Sequence, residues 1–157
     1  MAAEYLANAV QEVSLNAPII FDTASIPCNR GWVYHEDETG VFILRGCTDQ
    51  CFATYQVTFN GNIGLPEESE DIVPIAVSVA VTGEPRLTSR AIYVPTGTTA
   101  AGENDWGNVT STAIIKVPKG CCFSVSVDAV PATSDPTVDP APIIEVQNAN
   151  LVISRLS

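Results

Sequence analysis

Positive charge is scarce in this chain. Seven lysines and arginines stand against 18 aspartates and glutamates, for a formal net charge of −11. The seven (Arg30, Arg45, Arg86, Arg90, Lys116, Lys119 and Arg155) are scattered and form no basic stripe. Such a chain repels a polyanion, which argues against direct DNA or RNA binding and against docking on anionic lipid. Long apolar runs are also missing. No stretch approaches the roughly 18 residues of a membrane-spanning helix, so membrane insertion is not expected. The opening stretch MAAEYLANAVQEV has no basic residue ahead of an apolar run and does not read as a secretory signal peptide, so synthesis in the cytoplasm is expected. Helical periodicity is weak throughout, and residues 3–12 support one or two turns at most. Hydrophobic residues nonetheless make up 46% of the 157, enough for the core of a single domain.

What is present is period-two alternation. Residues 51–59 (CFATYQVTF) set Cys51, Ala53, Tyr55, Val57 and Phe59 on one face. Residues 75–82 set Ile75, Val77, Val79 and Val81 against Ala76, Ser78, Ala80 and Thr82. Residues 121–127 set Cys121, Phe123, Val125 and Val127 against Cys122, Ser124 and Ser126. Each pattern predicts a half-buried strand. Residues 41–44 (VFIL) and 151–156 (LVISRL) are apolar on both faces. A strand of that kind needs a second cover, such as a neighbouring subunit. Turn-forming residues punctuate the runs at 29–31, 39–40, 60–62, 83–85 and 118–120, and longer loops span 61–74, 95–108 and 130–142. About eight to ten strands with no strong helix predict an all-β antiparallel sandwich or jelly roll. Residues 1–12 precede the first firm strand and read as an N-terminal arm, with Tyr5, Leu6 and Val10 as an attachment segment that orders on docking. Residues 13–157 are the predicted domain.

The order of segments over about residues 10–157 carries a resemblance. VSLNAPIIF leads to GVFILRG, then to the long amphipathic CFATYQVTFNGNI. IAVSVAVTGEPRLTSRAIYV and NVTSTAIIKVPKGCCFSVSV follow, and the chain closes on IEVQNANLVISRLS. This order resembles the tumour-necrosis-factor-like jelly roll, also the fold of complement globular heads and of collagen-tipped spore-surface proteins. Relatives of this kind occur among bacterial surface proteins and bacteriophage virion proteins. The resemblance implies a homotrimer with the long amphipathic strand and the terminal strand near the three-fold axis, placing Tyr55, Val57, Phe59, Leu151, Val152, Ile153 and Leu156 at the interface. The chain lacks the Gly-x-y stalk of many such relatives. The implied setting is therefore a bacteriophage head fibre or capsid decoration, made in the host bacterial cytoplasm and held at the virion surface by the major capsid protein or another virion protein. The alternative is a carbohydrate- or receptor-binding module on a bacterial or spore surface, with a host-surface glycan as ligand.

Candidate sites are few, and no catalytic residues are assigned. The acidic runs Glu36–Glu38 and 67–71 offer carboxylates to calcium, but neither has the spacing of a calcium loop, and a solvated loop is the expected role. Five cysteines, an odd number without a secretory signal peptide, argue against a full disulfide framework, so reduced and buried thiols are expected. Cys47-x3-Cys51 with Cys121-Cys122 does not match paired Cys-x2-Cys zinc spacing. A disulfide from Cys28, Cys47 or Cys51 to the vicinal pair remains open in oxidising surroundings. The single histidine, His35, has no nucleophile elbow or Cys-His motif around it to make a hydrolase with Ser25 or Cys28, and reads as a solvated turn residue. Trp32 reads as core. Trp106, in the polar stretch GENDWGN, is the candidate for a ligand-facing loop, and a loop anchor is the competing role.

Overall fold

The computed structural model of the protein describes every residue except 29, 68, 70 and 97–104. Twelve strands are assigned among the described residues. They are β1 (Ala2–Ala7), β2 (Gln11–Ser14), β3 (Thr23–Ile26), β4 (Val33–His35), β5 (Phe42–Arg45), β6 (Phe52–Gly64), β7 (Ile75–Val81), β8 (Glu84–Pro85), β9 (Ala91–Tyr93), β10 (Gly107–Pro118), β11 (Cys122–Pro131) and β12 (Ile143–Arg155), with a 3-10 turn at Leu87–Ser89. The first sheet runs β10-β6-β12-β1-β3, with β2 pairing to β12. The second runs β4-β5-β11-β7-β8, with β9 also pairing to β7. All strand pairs are antiparallel. The chain is thus the all-β sandwich its alternation predicts.

Alternation decides which side chains fill the space between the sheets. From the first sheet come Tyr55, Val57, Phe59, Leu151 and Ile153, all 0% exposed; from the second come Phe42, Leu44, Val77, Val79, Val125 and Val127. Burying each of the larger ones is worth about 1.5–3 kcal/mol. Aromatic contacts organise one region of this core. Phe42 meets Tyr5 edge-on at 4.7 Å and Phe21 at 5.6 Å. Trp32 stacks on Tyr55 at 5.7 Å, as a core tryptophan should. The Tyr55 hydroxyl donates to Arg45 O at 2.5 Å, so this ring buries its polar atom with a partner.

Three sequence expectations change here. Residues 1–12 are not an arm. β1 lies between β12 and β3, with Ala3, Tyr5 and Ala7 in the core; of the three residues assigned to attachment, Tyr5 is buried, Leu6 half-buried on the outer side and Val10 exposed. The pairing with β12 satisfies the backbone of this segment, and Tyr5 supplies the apolar surface that holds it. Second, β7 is buried on both faces. Ala76, Ser78 and Ala80 are too small to rise above their β11 neighbours Val130, Asp128 and Ser126. Third, the cysteines are not core. Cys47, Cys51, Cys121 and Cys122 are exposed and Cys28 is half-buried, all as free thiols. They fall in connections or on the first residue of a strand, past the point where the facing sheet gives cover.

The edge beside β7 is broken by the 3-10 turn, which leaves backbone groups that the ladder cannot pair. Side chains fill the gap. Ser111 on β10 accepts from the Val79 N–H at 3.3 Å and donates to Ser89 O at 2.6 Å, linking the two sheets. Ser78 donates to Arg86 O at 2.8 Å. Asp128 is the exception to this polar accounting. It is 7% exposed, and its carboxylate accepts from Ser126 Oγ at 2.7 Å. Desolvation raises its carboxyl above the ordinary 3.8, and the Ser126 bond offsets this only in part. A raised folded-state value means that the folded protein holds this proton more tightly than the unfolded chain. Stability is therefore lost as pH rises from 3.8 through the folded value. Asp128→Asn is expected to raise Tm by a few degrees at pH 7, with the difference from wild type closing as pH falls towards 4. Thermal melts at the two pH values check this, and a variant less stable at pH 7 would contradict it.

Candidate interaction surface

The outer face of the first sheet is the most distinctive surface of the molecule. Because odd-numbered residues of β6 and β10 point inward, even-numbered ones point out, and the registers align them in rows. One row reads Thr112, Thr58, Val152, Glu4, Ile26 across β10, β6, β12, β1 and β3. The next reads Thr110, Asn60, Asn150, Leu6, Thr23. Side-chain bonds tie the rows together. Asn60 Nδ2 donates to Thr110 Oγ1 at 2.9 Å, Asn108 Nδ2 to Asn62 Oδ1 at 3.0 Å, and Thr112 to Thr58 at 3.3 Å. Asn150 Nδ2 donates to Glu4 Oε1 at 2.6 Å.

This face is nearly uncharged. Across the outward positions of β1, β6, β10 and β12, charge occurs at Glu4, Lys116 and Glu145. The described acidic residues otherwise fall mostly in connections; Glu12, Glu84 and Asp128 are the remaining ones in strands. Apolar side chains stand among the amides and hydroxyls, with Val152 and Leu6 half-buried, Ile26 50% exposed and Ile114 47% exposed. A flat face of this composition lets a like-charged copy approach, where the acidic loops do not.

The seven residues expected at a subunit interface separate on this geometry. Tyr55, Val57, Phe59, Leu151 and Ile153 spend their apolar surface inside their own sandwich and have none to offer a partner. Val152 sits at the middle of the outer face, and Leu156 is exposed at the end of the chain. The alternation seen in the sequence marked the inward residues of these strands, whose side chains are enclosed in their own sandwich. The Thr and Asn positions between them carry the surface.

The other sequence candidates are structural or peripheral. His35 is half-buried, not solvated; its ring stacks on Phe42 at 4.1 Å and its Nε2 lies 3.0 Å from Thr39 O. Ser25 is exposed on β3. Trp106 is half-buried against Gly64, whose missing side chain leaves room for the indole. Glu36, Asp37 and Glu38 are exposed in a turn, while Glu68, Glu70 and residues 97–104 lie outside the described residues. Among the described residues no group of three or more His, Cys, Asp or Glu gathers in an arrangement for a metal ion. An open cleft of about 550 Å3 lies beside the acidic loop, with Glu12, Leu65, Pro66, Asp71, Asp139 and Pro140 in its lining.

No protein-family model matches the sequence, and no curated protein matches it. Solved structures do match the fold over its full length. The globular domain of zebrafish complement 1qA protein aligns with 99% of this chain and 97% of its own, at TM-score 0.59 and 13% identity. Eiger TNF from S. frugiperda aligns with 100% of this chain and 92% of its own, at TM-score 0.61 and 13% identity. Murine APRIL aligns with 98% and 99%, at TM-score 0.52 and 9% identity. The fold is the tumour-necrosis-factor-like jelly roll. At these identities the likeness is one of architecture. The jelly roll also accounts for features that read oddly in isolation: the central place of β12, the length of β6, and the pairing of the two ends of the chain within one sheet.

Proposed function

We propose that the protein is a homotrimeric structural component without catalytic activity, whose copies associate through the outer face of the first sheet and carry their acidic loops outward. The observation that carries this reading is the uncharged ladder of Thr, Asn and Gln side chains on a chain of net charge −11. A surface that carries so few charges in so acidic a molecule is the place where like-charged copies can meet. Closed cyclic assembly would cover Val152 and Ile26 without growing a filament. The jelly-roll fold supports three-fold closure, by analogy with its relatives.

The setting we favour is a bacteriophage virion, as a head-fibre or capsid-decoration protein held by the major capsid or another virion protein. Its support is the order of segments and the absence of a Gly-x-y repeat from the sequence. Co-purification with an intact particle tests it; recovery in a cell-envelope fraction would count against it. A glycan-binding role draws less support, because Trp106 is packed on Gly64 rather than standing free.

Three chains of −11 bring a net charge of −33 together, so ionic strength should govern assembly. Raising salt from about 20 mM to about 300 mM shortens the screening length to below roughly 6–10 Å and is expected to shift the mass from monomer towards trimer at low micromolar protein. Size-exclusion chromatography with light scattering reads this directly. A single-chain mass at every salt concentration would overturn the trimer.

A further inference from the structure

The carboxamides on the outer face of the first sheet gather at one end. Asn108, Asn62 and Gln147 stand side by side across β10, β6 and β12, and Asn60 and Asn150 share the next row with Thr110. Towards the other end of the same strands the outward positions include Val152, Ile114 and Phe52. A break in β12 builds the amide end. Ile144 and Val146 point inward before it, and Ala149, Leu151 and Ile153 after it, an odd step that a regular strand does not make. The register slips between Gln147 and Asn150, where Asn148 takes a φ of 53°. Asparagine tolerates this left-handed conformation better than most residues with a side chain. The slip turns both Gln147 and Asn150 outward. In an unbroken strand Asn150 would point into the core.

The amides are held in fixed orientations. Asn60 and Asn108 form a reciprocal pair, each Nδ2 donating to the other's Oδ1, at 3.3 and 3.2 Å. Asn60 Nδ2 also donates to Thr110 Oγ1, Asn108 Nδ2 to Asn62 Oδ1, and Asn150 Nδ2 to Glu4 Oε1. These bonds leave Asn62 Nδ2, Asn150 Oδ1 and the Gln147 carboxamide without a protein partner among the described residues. Water meets such groups on an open face; on a covered face they need matching groups.

We propose that the amide end sets the register and the number of copies in the assembly, while the apolar end of the same face supplies its affinity. The inference rests on association through this face. Apolar contact has no direction, so an apolar face accepts a neighbour at many offsets. Fixed donors and acceptors do not. A copy shifted along the strands would bury Asn62 Nδ2 or Asn150 Oδ1 unpaired, and each such loss is penalised. Wrong arrangements are raised in energy more than the right one is lowered, which gives specificity without added strength. One buried asparagine acts in this way in coiled coils.

The test uses the full chain with Asn60→Val and Asn62→Val together, at the higher salt concentration given above. Valine suits a strand, so circular dichroism should keep the wild-type signal. The variant is expected to associate at least as tightly as wild type, but as a mixture of masses in place of one trimer, read by size-exclusion chromatography with light scattering. Asn60→Thr with Asn62→Thr has nearly the same shape and keeps a polar group at each position, and should keep the single trimer mass. If the valine pair loses its strand signal, Gln147→Val is read in the same way, at a side chain with no protein bond to lose. A valine variant that stays a single trimer, one that falls to single chains, or identical mixtures from the valine and threonine pairs would overturn the proposal while leaving the wild-type trimer in place. A wild type that stays a single chain would overturn the association itself, and this proposal with it.

Discussion

Replacing Val152 with Asp is expected to leave each sandwich folded and to reduce the assembly to single chains. Val152 lies midway along the row Thr112, Thr58, Val152, Glu4, Ile26, and its side chain points away from the core. Within one chain the new carboxylate faces Glu4 across the strand pair, at a cost of roughly 0.2–1 kcal/mol, which the fold tolerates. Between chains the same carboxylate is desolvated, and the three-fold arrangement repeats it three times. A loss of at least roughly 2.7 kcal/mol per contact, about 100-fold in association, follows. Light scattering should report a single-chain mass while circular dichroism keeps the wild-type strand signal. Tyr34→Asp is the control. Tyr34 is 54% exposed on β4 of the other sheet, and its replacement should leave the mass unchanged. If Tyr34→Asp dissociated the assembly and Val152→Asp did not, the copies would be meeting through the opposite face.

Tyr5→Ala is expected to cost about 3–5 kcal/mol of stability, the usual loss for truncating a buried aromatic. Tyr5 is 4% exposed and packs against Phe42 and the His35 ring. For a domain of this size that corresponds to a fall in Tm of roughly 6–20 °C. Thermal unfolding measured by circular dichroism checks it. An unchanged Tm would mean that residues 2–7 are held loosely and act as an arm after all.

That contrast shows where the sequence was legible. In β6, β7 and β11, long β-branched and aromatic side chains alternate with small or polar ones, and the period survives any reading frame. In β1 the inward residues are Ala3, Tyr5 and Ala7, and Ala, Glu and Leu dominate the segment. Those are helix-favouring residues, so local propensity pointed away from the strand that pairing with β12 imposes. β3 is exposed at every residue and gives no burial pattern to read. The proposed interaction surface was hidden for a related reason. Apolar residues draw attention to the inward face, whereas this outer face is made of Thr, Asn and Gln, whose cross-strand alignment exists only once the registers are set. The cysteines show the limit of phase. Cys51 and Cys121 have the phase of core residues, but each stands just beyond the sandwich, where phase no longer means burial.

The placement of β1 also bears on how the molecule is made. Ala2 pairs with Ser154, Ala3 with Ile153, and Arg155 N–H donates to Met1 O at 2.9 Å, so the first and last strands of the chain are neighbours in the middle of one sheet. β6, β12 and β1 meet side by side, and two of those three strands wait on the third, which is synthesised last. Until β12 leaves the ribosome, β1 has no partner on one side and β6 has none on one edge. The β1–β12 pairing therefore forms through contacts of large sequence separation, which are slow to make. During that wait the exposed Tyr55, Val57 and Phe59 of a nascent chain are a hazard to other nascent chains. The net charge of −11 opposes such encounters before any fold exists.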